Sequence, residues 1–201
     1  MLRTKTLTLG LYQTNTYLIW EENSKSCCVI DPGYDAKTIA NTIARQGLTL
    51  EAILLTHGHF DHVGAVKELV MDTDCKVYLC AQDLAMPEAM TAGPLFYTHT
   101  YGEGDALQLA GLTIRVLQTP GHTPGSVCLL VENVLFSGDT LFAGSCGRTD
   151  FPGGSGADIL KSLKRLAQMK NCTVYPGHGE STTLDAERMY NPYMQAREEA
   201  L

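Results

Sequence analysis

A chain of 201 residues is long enough to bury about 70% of the surface that its unfolded form exposes, so we expect one domain over 1–201 without disulfide support. Its 22 acidic and 15 basic residues give a formal net charge of −7, which argues against the basic surface that nucleic-acid binding requires. The apolar runs are far shorter than the ~20 residues needed to cross a bilayer. Neither nucleic acid nor a membrane is therefore an expected partner.

The seven cysteines indicate the compartment in which the protein works. Their number is odd, they form no Cys-x-x-Cys pair, and most of them lie in or beside apolar runs. The first ten residues alternate threonine with leucine and contain no apolar signal core. We therefore expect reduced thiols and a cytoplasmic location.

The first part of the chain predicts a meander followed by a helix. Short strands with polar turns between them are expected over 4–9, 16–20 and 27–30. Asp31-Pro32-Gly33 ends the third strand, and Asp35 is expected to cap a helix that ends near Gly47.

Strands and helices then alternate. A buried strand over 52–55, an amphipathic helix over 63–70 and a strand over 77–79 come first. The segment 82–104 has no steady period and contains an aromatic group around His99; it predicts a substrate-facing loop or, equally, rings that fill a gap beneath a loop.

The second half repeats the alternation. A hairpin over 107–109 and 112–117, two strands over 127–131 and 134–136, and a final strand over 173–175 are expected. Between them, Ser155 and Asp158 have the spacing of a capping box at the start of a helix whose apolar stripe includes Leu163.

Four side chains that commonly bind metals follow the strand at 52–55. They are His57, His59, Asp61 and His62. A His-x-His pair alone is often held by ordinary hydrogen bonds, but residues two apart in an extended segment project to the same side, and the added Asp61 and His62 favour metal binding. No thiolate is present, so zinc, iron and manganese are the suitable metals.

His122, Asp139 and His178 also lie just after predicted strands, where the loops of layered α/β proteins converge. Taken singly, they could be a turn residue, a helix cap and a surface histidine. Taken with the first cluster, they supply five imidazoles and two carboxylates, which suits two ions that share one bridging carboxylate. Five of the six histidines fall in these loops, so the sequence predicts one shared site.

These residues resemble the metal motifs of the metallo-β-lactamase superfamily: His57-x-His59-x-Asp61-His62, followed by His122, Asp139 and His178. The resemblance implies an α+β fold, the αββα four-layer sandwich, in which two mixed β-sheets are flanked by helices. It also implies a first metal on His57, His59 and His122, a second on Asp61, His62 and His178, and Asp139 as the bridge. Asp31 resembles a further motif and would orient the cluster by hydrogen bonds, unless it only caps the turn that follows it.

Two further stretches indicate which branches of the superfamily the chain resembles. The run from Gly138 to Phe151 is similar to glyoxalase II-like hydrolases and persulfide dioxygenases, and Glu187-Arg188-x-x-Asn191-Pro192-Tyr193 resembles short bacterial glyoxalase II-like proteins. The commonest zinc β-lactamases carry cysteine where Asp139 stands, and flavodiiron oxygen reductases carry glutamate where His59 stands. Neither of these branches is favoured.

The resemblance implies hydrolysis of a hydroxyacyl thioester like S-D-lactoylglutathione by a hydroxide held between two divalent metals, with Asp61 and Asp139 as catalytic residues. Zinc is the expected metal, with iron or manganese as alternatives. The alternative functions are a persulfide dioxygenase with one iron, a metallohydrolase for another ester, lactone or phosphodiester, and a metal-dependent binding module without turnover. The oligomeric state is not predicted.

The sequence also contains candidates for substrate recognition. Only a short segment follows His178, so we expect no C-terminal helical domain of the kind that binds glutathione in full-length glyoxalase II. Arg148, Tyr193 and Arg197 are the candidate substrate-binding residues. For Tyr193 and Arg197, helix packing and surface charge are equally acceptable explanations.

Overall fold

The structure is a computed structural model that describes residues 1–71 and 73–195. Its first sheet has six strands, arranged in the order in which they occur along the chain. These are β1 (Leu2–Leu9), β2 (Thr14–Glu21), β3 (Ser26–Ile30), β4 (Thr49–Leu54), β5 (Lys76–Cys80) and β6 (His99–Tyr101). The strands β1, β2 and β3 pair antiparallel, whereas β3, β4, β5 and β6 pair parallel. The carboxyl ends of the parallel strands therefore share one edge of the sheet.

The second sheet is also mixed and has the order β14-β13-β10-β9-β8-β7. The strands of this half are β7 (Ala106–Leu109), β8 (Leu112–Gln118), β9 (Val127–Val131), β10 (Val134–Gly138), β11 (Leu141–Phe142), β12 (Ser145–Cys146), β13 (Thr173–Pro176) and β14 (Thr182–Thr183). The pair β11 and β12 forms a separate two-stranded ribbon. Because β10 and β13 are parallel, Asp139 and His178 leave the sheet at the same edge.

Helices cover the outer faces of both sheets. They are α1 (Ala36–Arg45), α2 (Phe60–Val63), α3 (Val66–Met71), α4 (Glu88–Thr91), α5 (Gly156–Ala167), α6 (Leu184–Tyr190) and α7 (Pro192–Gln195). Buried residues of α1 and α3 pack with the outer face of the first sheet, and those of α5, α6 and α7 pack with the outer face of the second. The inner faces of the two sheets pack on each other.

Strand alternation explains this layering. Tyr17 and Ile19 of β2 contribute to the core between the sheets, whereas Leu18 contributes to the core beneath the helices, because successive side chains of a strand point to opposite faces. The predicted αββα sandwich with two mixed sheets is therefore confirmed.

Both predicted helix starts are confirmed. The side chain of Asp35 accepts a hydrogen bond from the Thr38 N–H at 3.0 Å, and Ser155 Oγ accepts one from the Asp158 N–H at 3.2 Å. These bonds satisfy main-chain donors that a first helical turn leaves without partners.

Two predicted segments differ from the structure. The single helix expected over 63–70 is divided into α2 and α3, because the Ala65 N–H bonds to the Pro32 carbonyl at 2.9 Å instead of continuing the helix. The segment 82–104 is not one irregular loop, since it contributes to a 3-10 helix (Ala81–Ala85) and contains α4 and β6. His99 lies in β6, and its ring is 5.0 Å from the ring of Tyr78. Of the aromatic residues near it, Tyr101 is buried, whereas Phe96 and Tyr97 are exposed.

Within the described residues, no helix combines the length and the apolar character needed to cross a bilayer.

Candidate metal centre

The predicted ligand residues converge at the strand ends of the two sheets. His57, His59 and His122 form a first ligand group, and Asp61, His62 and His178 form a second; within each group the candidate ligand atoms lie within 4.8 Å of one another. The first group joins the segment after β4 to the loop after β8, and the second joins it to the loop after β13. One shared site is thus formed from loops of both sheets.

The first ligand group is almost fully enclosed. His57 has no exposed surface, and His59 and His122 are buried. Nδ1 of His59 lies 2.8 Å from Nε2 of His122, a separation at which one cation can contact both nitrogen atoms.

The second ligand group combines one carboxylate with two imidazoles. Nε2 of His178 lies 3.3 Å from Asp61 Oδ2 and 3.3 Å from Nε2 of His62. His62 is fully buried, whereas His178 is partly exposed. Solvent therefore reaches the cluster on the His178 side.

Asp139 lies between the two groups. Its Oδ2 atom is 3.4 Å from Nε2 of His122 in the first group, and its Oδ1 atom is 3.4 Å from Nε2 of His62 in the second. The carboxylate thus faces both groups, which is the arrangement that a bridging role requires.

The donor set fits divalent cations. In the part of the chain that the structure describes, three buried side-chain atoms have no hydrogen-bond partner, and all three belong to this cluster: His57 Nε2, His59 Nε2 and Asp139 Oδ1. Unpartnered buried polar atoms are costly in a folded protein, so a cluster with atoms of this kind is suited to binding a cation. The cluster contains imidazole and carboxylate but no thiolate, which suits zinc, iron or manganese.

The main chain at Gly177 lies close to two side chains of the cluster. A Cβ atom at Gly177 would lie 2.2 Å from Asp139 Oδ1 and 2.8 Å from His62 Cε1. Only glycine at this position leaves both side chains where they are.

Hydrogen bonds on the far side of the rings hold the imidazoles in place. Nδ1 of His62 donates to Asp31 Oδ2 at 2.9 Å, Nδ1 of His122 donates to the Arg148 carbonyl at 2.7 Å, and Nδ1 of His178 donates to the Tyr12 carbonyl at 3.0 Å. Each bond leaves Nε2 facing the cluster, as a metal ligand requires. Asp31 also accepts hydrogen bonds from the N–H and hydroxyl of Thr56, so it contacts the residue before His57 as well.

Burial and neighbouring charges separate the two groups electrostatically. Burial lowers the pKa of His57 well below its ordinary value and, with the neighbouring His122, lowers that of His59 to about 4. In the second group, burial acts to lower the pKa of His62, but Asp139 and Asp31 outweigh it and raise the value to about 9. Burial also acts to lower the pKa of His178, but the hydrogen bond with Asp61 outweighs this effect, so the pKa is raised.

The Asp61 carboxylate is the counterpart of these two imidazoles. Burial acts to raise its pKa, but the hydrogen bond with His178 and the charge of His62 lower the pKa below its ordinary value. The hydroxyl of Thr14 also donates to Asp61 Oδ2 at 3.2 Å. Asp61 is thus ionised near neutral pH.

The substrate-binding candidates lie in three different situations. The Arg148 guanidinium lies 3.8 Å from the centroid of the Phe151 ring and forms two 2.7 Å hydrogen bonds with Asp150; the Phe151 ring in turn is 5.7 Å from that of His59. Arg148 is therefore at the rim of the first ligand group. Tyr193 is half-exposed in α7, where its N–H donates to the Asn191 side chain. Arg197 lies outside the described residues.

A cavity of about 280 Å³ flanks this rim. Its lining carries no charged side chain and consists of Gln82, Ala85, Met86, Pro87, Pro124, Pro152 and Gly153. A larger cavity of about 550 Å³ lies between α1, β4 and α3 and includes none of the cluster residues. Of these two cavities, the smaller one lies beside residues of the metal loops.

Sequence reasoning missed two buried side chains that hold these loops. Asp83, in the 3-10 helix, accepts hydrogen bonds from main-chain or side-chain donors on both sides of the first ligand group. Asn15, in β2, donates to the carbonyls of Pro176 and Gly179 on either side of His178. Neither residue lies in a recognisable motif, and only the folded chain brings their partners together.

The αββα fold and its histidine–carboxylate cluster define a metal-dependent hydrolase scaffold. The family model described as the metallo-beta-lactamase superfamily matches residues 9–178, and the chain belongs to this superfamily. The resemblance inferred from the metal motifs is therefore confirmed.

Among curated proteins, the chain is 33% identical to the hydroxyacylglutathione hydrolase GloC of Haemophilus influenzae, over 92% of this chain and 95% of the relative. Three solved structures are also similar. BLEG-1, a B3 metallo-beta-lactamase, has a TM-score of 0.86 and 37% identity, over 98% of this chain and 100% of its own. ETHE1 from Myxococcus xanthus has a TM-score of 0.88 and 29% identity, over 98% and 87%. TTHA1623 in a di-iron-bound form has a TM-score of 0.84 and 38% identity, over 94% and 100%.

Proposed function

We propose that the chain is a dinuclear metal-dependent thioester hydrolase that acts on S-D-lactoylglutathione or a similar hydroxyacyl thioester. The observation that carries the proposal is the paired arrangement of two ligand groups around Asp139, in a cluster that contains three buried side-chain atoms without hydrogen-bond partners. The similarity to a hydroxyacylglutathione hydrolase over nearly the full length of both chains supports the thioester over other substrates.

In this proposal His57, His59 and His122 hold one metal, Asp61, His62 and His178 hold a second, and Asp139 contacts both. Divalent metals in such a site would act as Lewis acids and would lower the pKa of bound water to about 7, which would supply a nucleophile at neutral pH. Zinc is the metal we propose; the donors also suit iron and manganese, and the similar TTHA1623 is known in a di-iron-bound form.

The residues of the chain fix the geometry of this reaction. The buried imidazoles of His57 and His59 stay neutral near pH 7 because burial lowers their pKa values. Asp61 remains ionised and is held by Thr14, so it can orient a water molecule as well as bind metal. A thiolate leaving group has a pKa of roughly 8.5 and needs little protonation, so the reaction does not demand a strong general acid.

Substrate recognition is proposed at the rim of the first ligand group. Arg148 lies there over Phe151, but Asp150 already neutralises its guanidinium. Arg148 can therefore bind a substrate carboxylate only in competition with Asp150. Tyr193 and Arg197 stay candidates for the same task, and we propose one domain over 1–201 and a cytoplasmic location for the enzyme.

The test is release of free thiol by the purified, metal-loaded chain from S-D-lactoylglutathione, in a panel with an ester, a lactone, a β-lactam and a phosphodiester. The proposal predicts that the thioester has the highest kcat/KM. Preferential turnover of any other member would assign the site to that substrate, and bound metal with no turnover across the panel would indicate a binding module instead.

A persulfide dioxygenase is the second candidate, because the donors suit iron and the fold is close to that of ETHE1. It would consume oxygen with glutathione persulfide when loaded with one iron. An oxygen electrode separates the two candidates, since thioester hydrolysis consumes no oxygen.

A further inference from the structure

Asp83 is a buried carboxylate with a full set of hydrogen-bond donors. Its Oδ2 atom accepts from the Gly58 N–H at 2.8 Å and from the Thr123 hydroxyl at 3.0 Å, and its Oδ1 atom accepts from the Gly125 N–H at 2.7 Å. Asp83 has no exposed surface. Its oxygens are thus occupied by these donors, and it does not belong to either ligand group.

The partners of Asp83 lie in the two loops that build the first ligand group. Gly58 stands between His57 and His59, and Thr123 directly follows His122. Asp83 therefore joins the two ligand-bearing loops through a single rigid carboxylate. Charge-assisted hydrogen bonds of this kind are shorter and stronger than neutral ones.

The space around the carboxylate is closed. A Cβ atom at Gly125 would lie 2.6 Å from Asp83 Oδ1 and 2.7 Å from Asp83 Cγ. The turn after His122 therefore approaches Asp83 as closely as only glycine allows, and neither loop can move far without losing a bond.

We propose that Asp83 is a positioning residue that sets the metal affinity of the first ligand group by fixing the separation of its two loops. The proposal concerns a residue that does not touch the metal or substrate, and it holds for any reaction that the site performs.

Asn15 provides a matched comparison for the other half of the site. Its side-chain amide donates to the Pro176 carbonyl at 3.1 Å and to the Gly179 carbonyl at 2.9 Å, and it is also buried. These carbonyls flank His178 of the second ligand group. Asn15 and Asp83 are therefore similar in burial and in hydrogen bonding, but they hold different loops.

The experiment measures each half of the site separately in the full chain. His178→Ala leaves the first ligand group intact, and His122→Ala leaves the second intact. In both backgrounds, Asp83→Ala, Asp83→Asn and Asn15→Ala are introduced, and Co²⁺ is titrated into the metal-free protein. The dissociation constant is obtained by competition with a chelator, and the visible absorption of bound Co²⁺ reports its coordination.

In the His178→Ala background, we expect Asp83→Ala to weaken Co²⁺ binding about 10- to 100-fold, the usual effect of removing a group that orients ligands. Asp83→Asn retains an acceptor for some of the donors and should weaken binding less. Asn15→Ala should change this affinity by less than about threefold. In the His122→Ala background, the order of Asp83→Ala and Asn15→Ala should reverse.

Equal weakening in both backgrounds by Asp83→Ala, or no weakening in either, would overturn the proposal. Far-UV circular dichroism identifies variants that fail to fold. If Asp83→Ala does not fold, Asp83→Asn is decisive in the same comparison. If neither folds, Thr123→Val takes its place, because it removes the hydroxyl bonds to Asp83 and Ser126 and leaves both main-chain donors to Asp83 paired. A variant with unchanged Co²⁺ affinity and an unchanged absorption band contradicts the proposal whatever its catalytic rate.

Discussion

Nδ1 of His62 donates a hydrogen bond to Oδ2 of Asp31 at 2.9 Å, and both side chains are buried. The bond turns Nε2 of His62 toward Asp61 and His178, the other members of the second ligand group. Two further bonds from Thr56 hold the Asp31 carboxylate in place. Asp31 thus fixes the orientation of the His62 ring; its effect on metal binding is a prediction that the following variant tests.

Asp31→Asn should weaken metal binding by the second ligand group about 10- to 100-fold, because the amide cannot accept at both positions that now receive donors. The loss of a buried, fully bonded carboxylate should also lower the free energy of unfolding by about 1–3 kcal/mol. Chelator competition and urea denaturation measure the two effects. Asp74→Asn, at an exposed carboxylate, is the control, and equal metal affinities of the two variants would argue against an orienting role.

The metal affinities of the two ligand groups should depend differently on pH. The pKa of His62 is raised to about 9, so near pH 7 its Nε2 proton must leave before a metal can bind there. Because the pKa of His178 is raised as well, the metal affinity of the second group should rise at least about tenfold for each pH unit between pH 6 and pH 8. The pKa of His59 is lowered to about 4, and the first group should show a much flatter dependence over the same range.

The measurement is metal titration at pH 6, 7 and 8 in the His122→Ala and His178→Ala backgrounds. Calorimetry in buffers of different ionisation enthalpy counts the protons released on binding. If the metal affinities of the two groups changed equally with pH, the carboxylates around His62 would not retain its proton.

Gly177→Ala should disturb the bridge between the groups. The added methyl would meet Asp139 Oδ1 at 2.2 Å and His62 Cε1 at 2.8 Å, so at least one of these side chains must move. We expect metal affinity to fall at least about tenfold, in the range seen when ligand orientation is lost.

Gly102→Ala is the matched control for this substitution. A methyl there would meet only the end of the Gln118 side chain, at 3.4 Å, so the variant should bind metal normally and be equally or slightly more stable, by up to about 1 kcal/mol. Normal metal content in Gly177→Ala would mean that the cluster tolerates displacement of Asp139 or His62.

Glu187, in the motif that runs from Glu187 to Tyr193, should stabilise the fold. Glu187 is buried and accepts hydrogen bonds from the Gly144 N–H at 2.9 Å, the Asn191 amide at 2.8 Å and the Thr182 hydroxyl at 2.6 Å. It thereby joins α6 to the turn between β11 and β12. Glu187→Ala leaves these donors without partners and should cost about 1–3 kcal/mol of unfolding free energy. Glu180→Ala, at an exposed site, should change stability by less than about 0.5 kcal/mol; similar values for the two variants would contradict the structural role.

The clustering of the candidate ligands can be predicted from the sequence because its signal is local. Four of them fall within six positions, and the others follow short strands with glycine neighbours, so spacing and strand ends were sufficient to bring them together in the argument. The helix starts at Asp35 and Ser155 were equally local, since each cap contacts the residue three positions later.

The residues that the sequence did not predict form hydrogen bonds with partners that are distant in sequence. Asp83 bonds to donors 25 and 42 residues away, and Asn15 bonds to carbonyls more than 160 residues away. No periodicity records such pairs. The strand β6 was missed for another reason: its three residues are too few to show an alternation, and its pairing with β5 alone defines it.

In the proposed hydrolase, catalysis depends on two metal ions held by the clustered loops. The most direct measurement removes metal with a chelator, determines the metal content of the chain, and follows thiol release from S-D-lactoylglutathione as Zn²⁺ is returned. We expect the rate to vanish on removal, to recover fully at about two ions per chain, and to stay low in Asp139→Ala. A chelated chain without detectable metal that hydrolyses the thioester at its original rate would contradict the account.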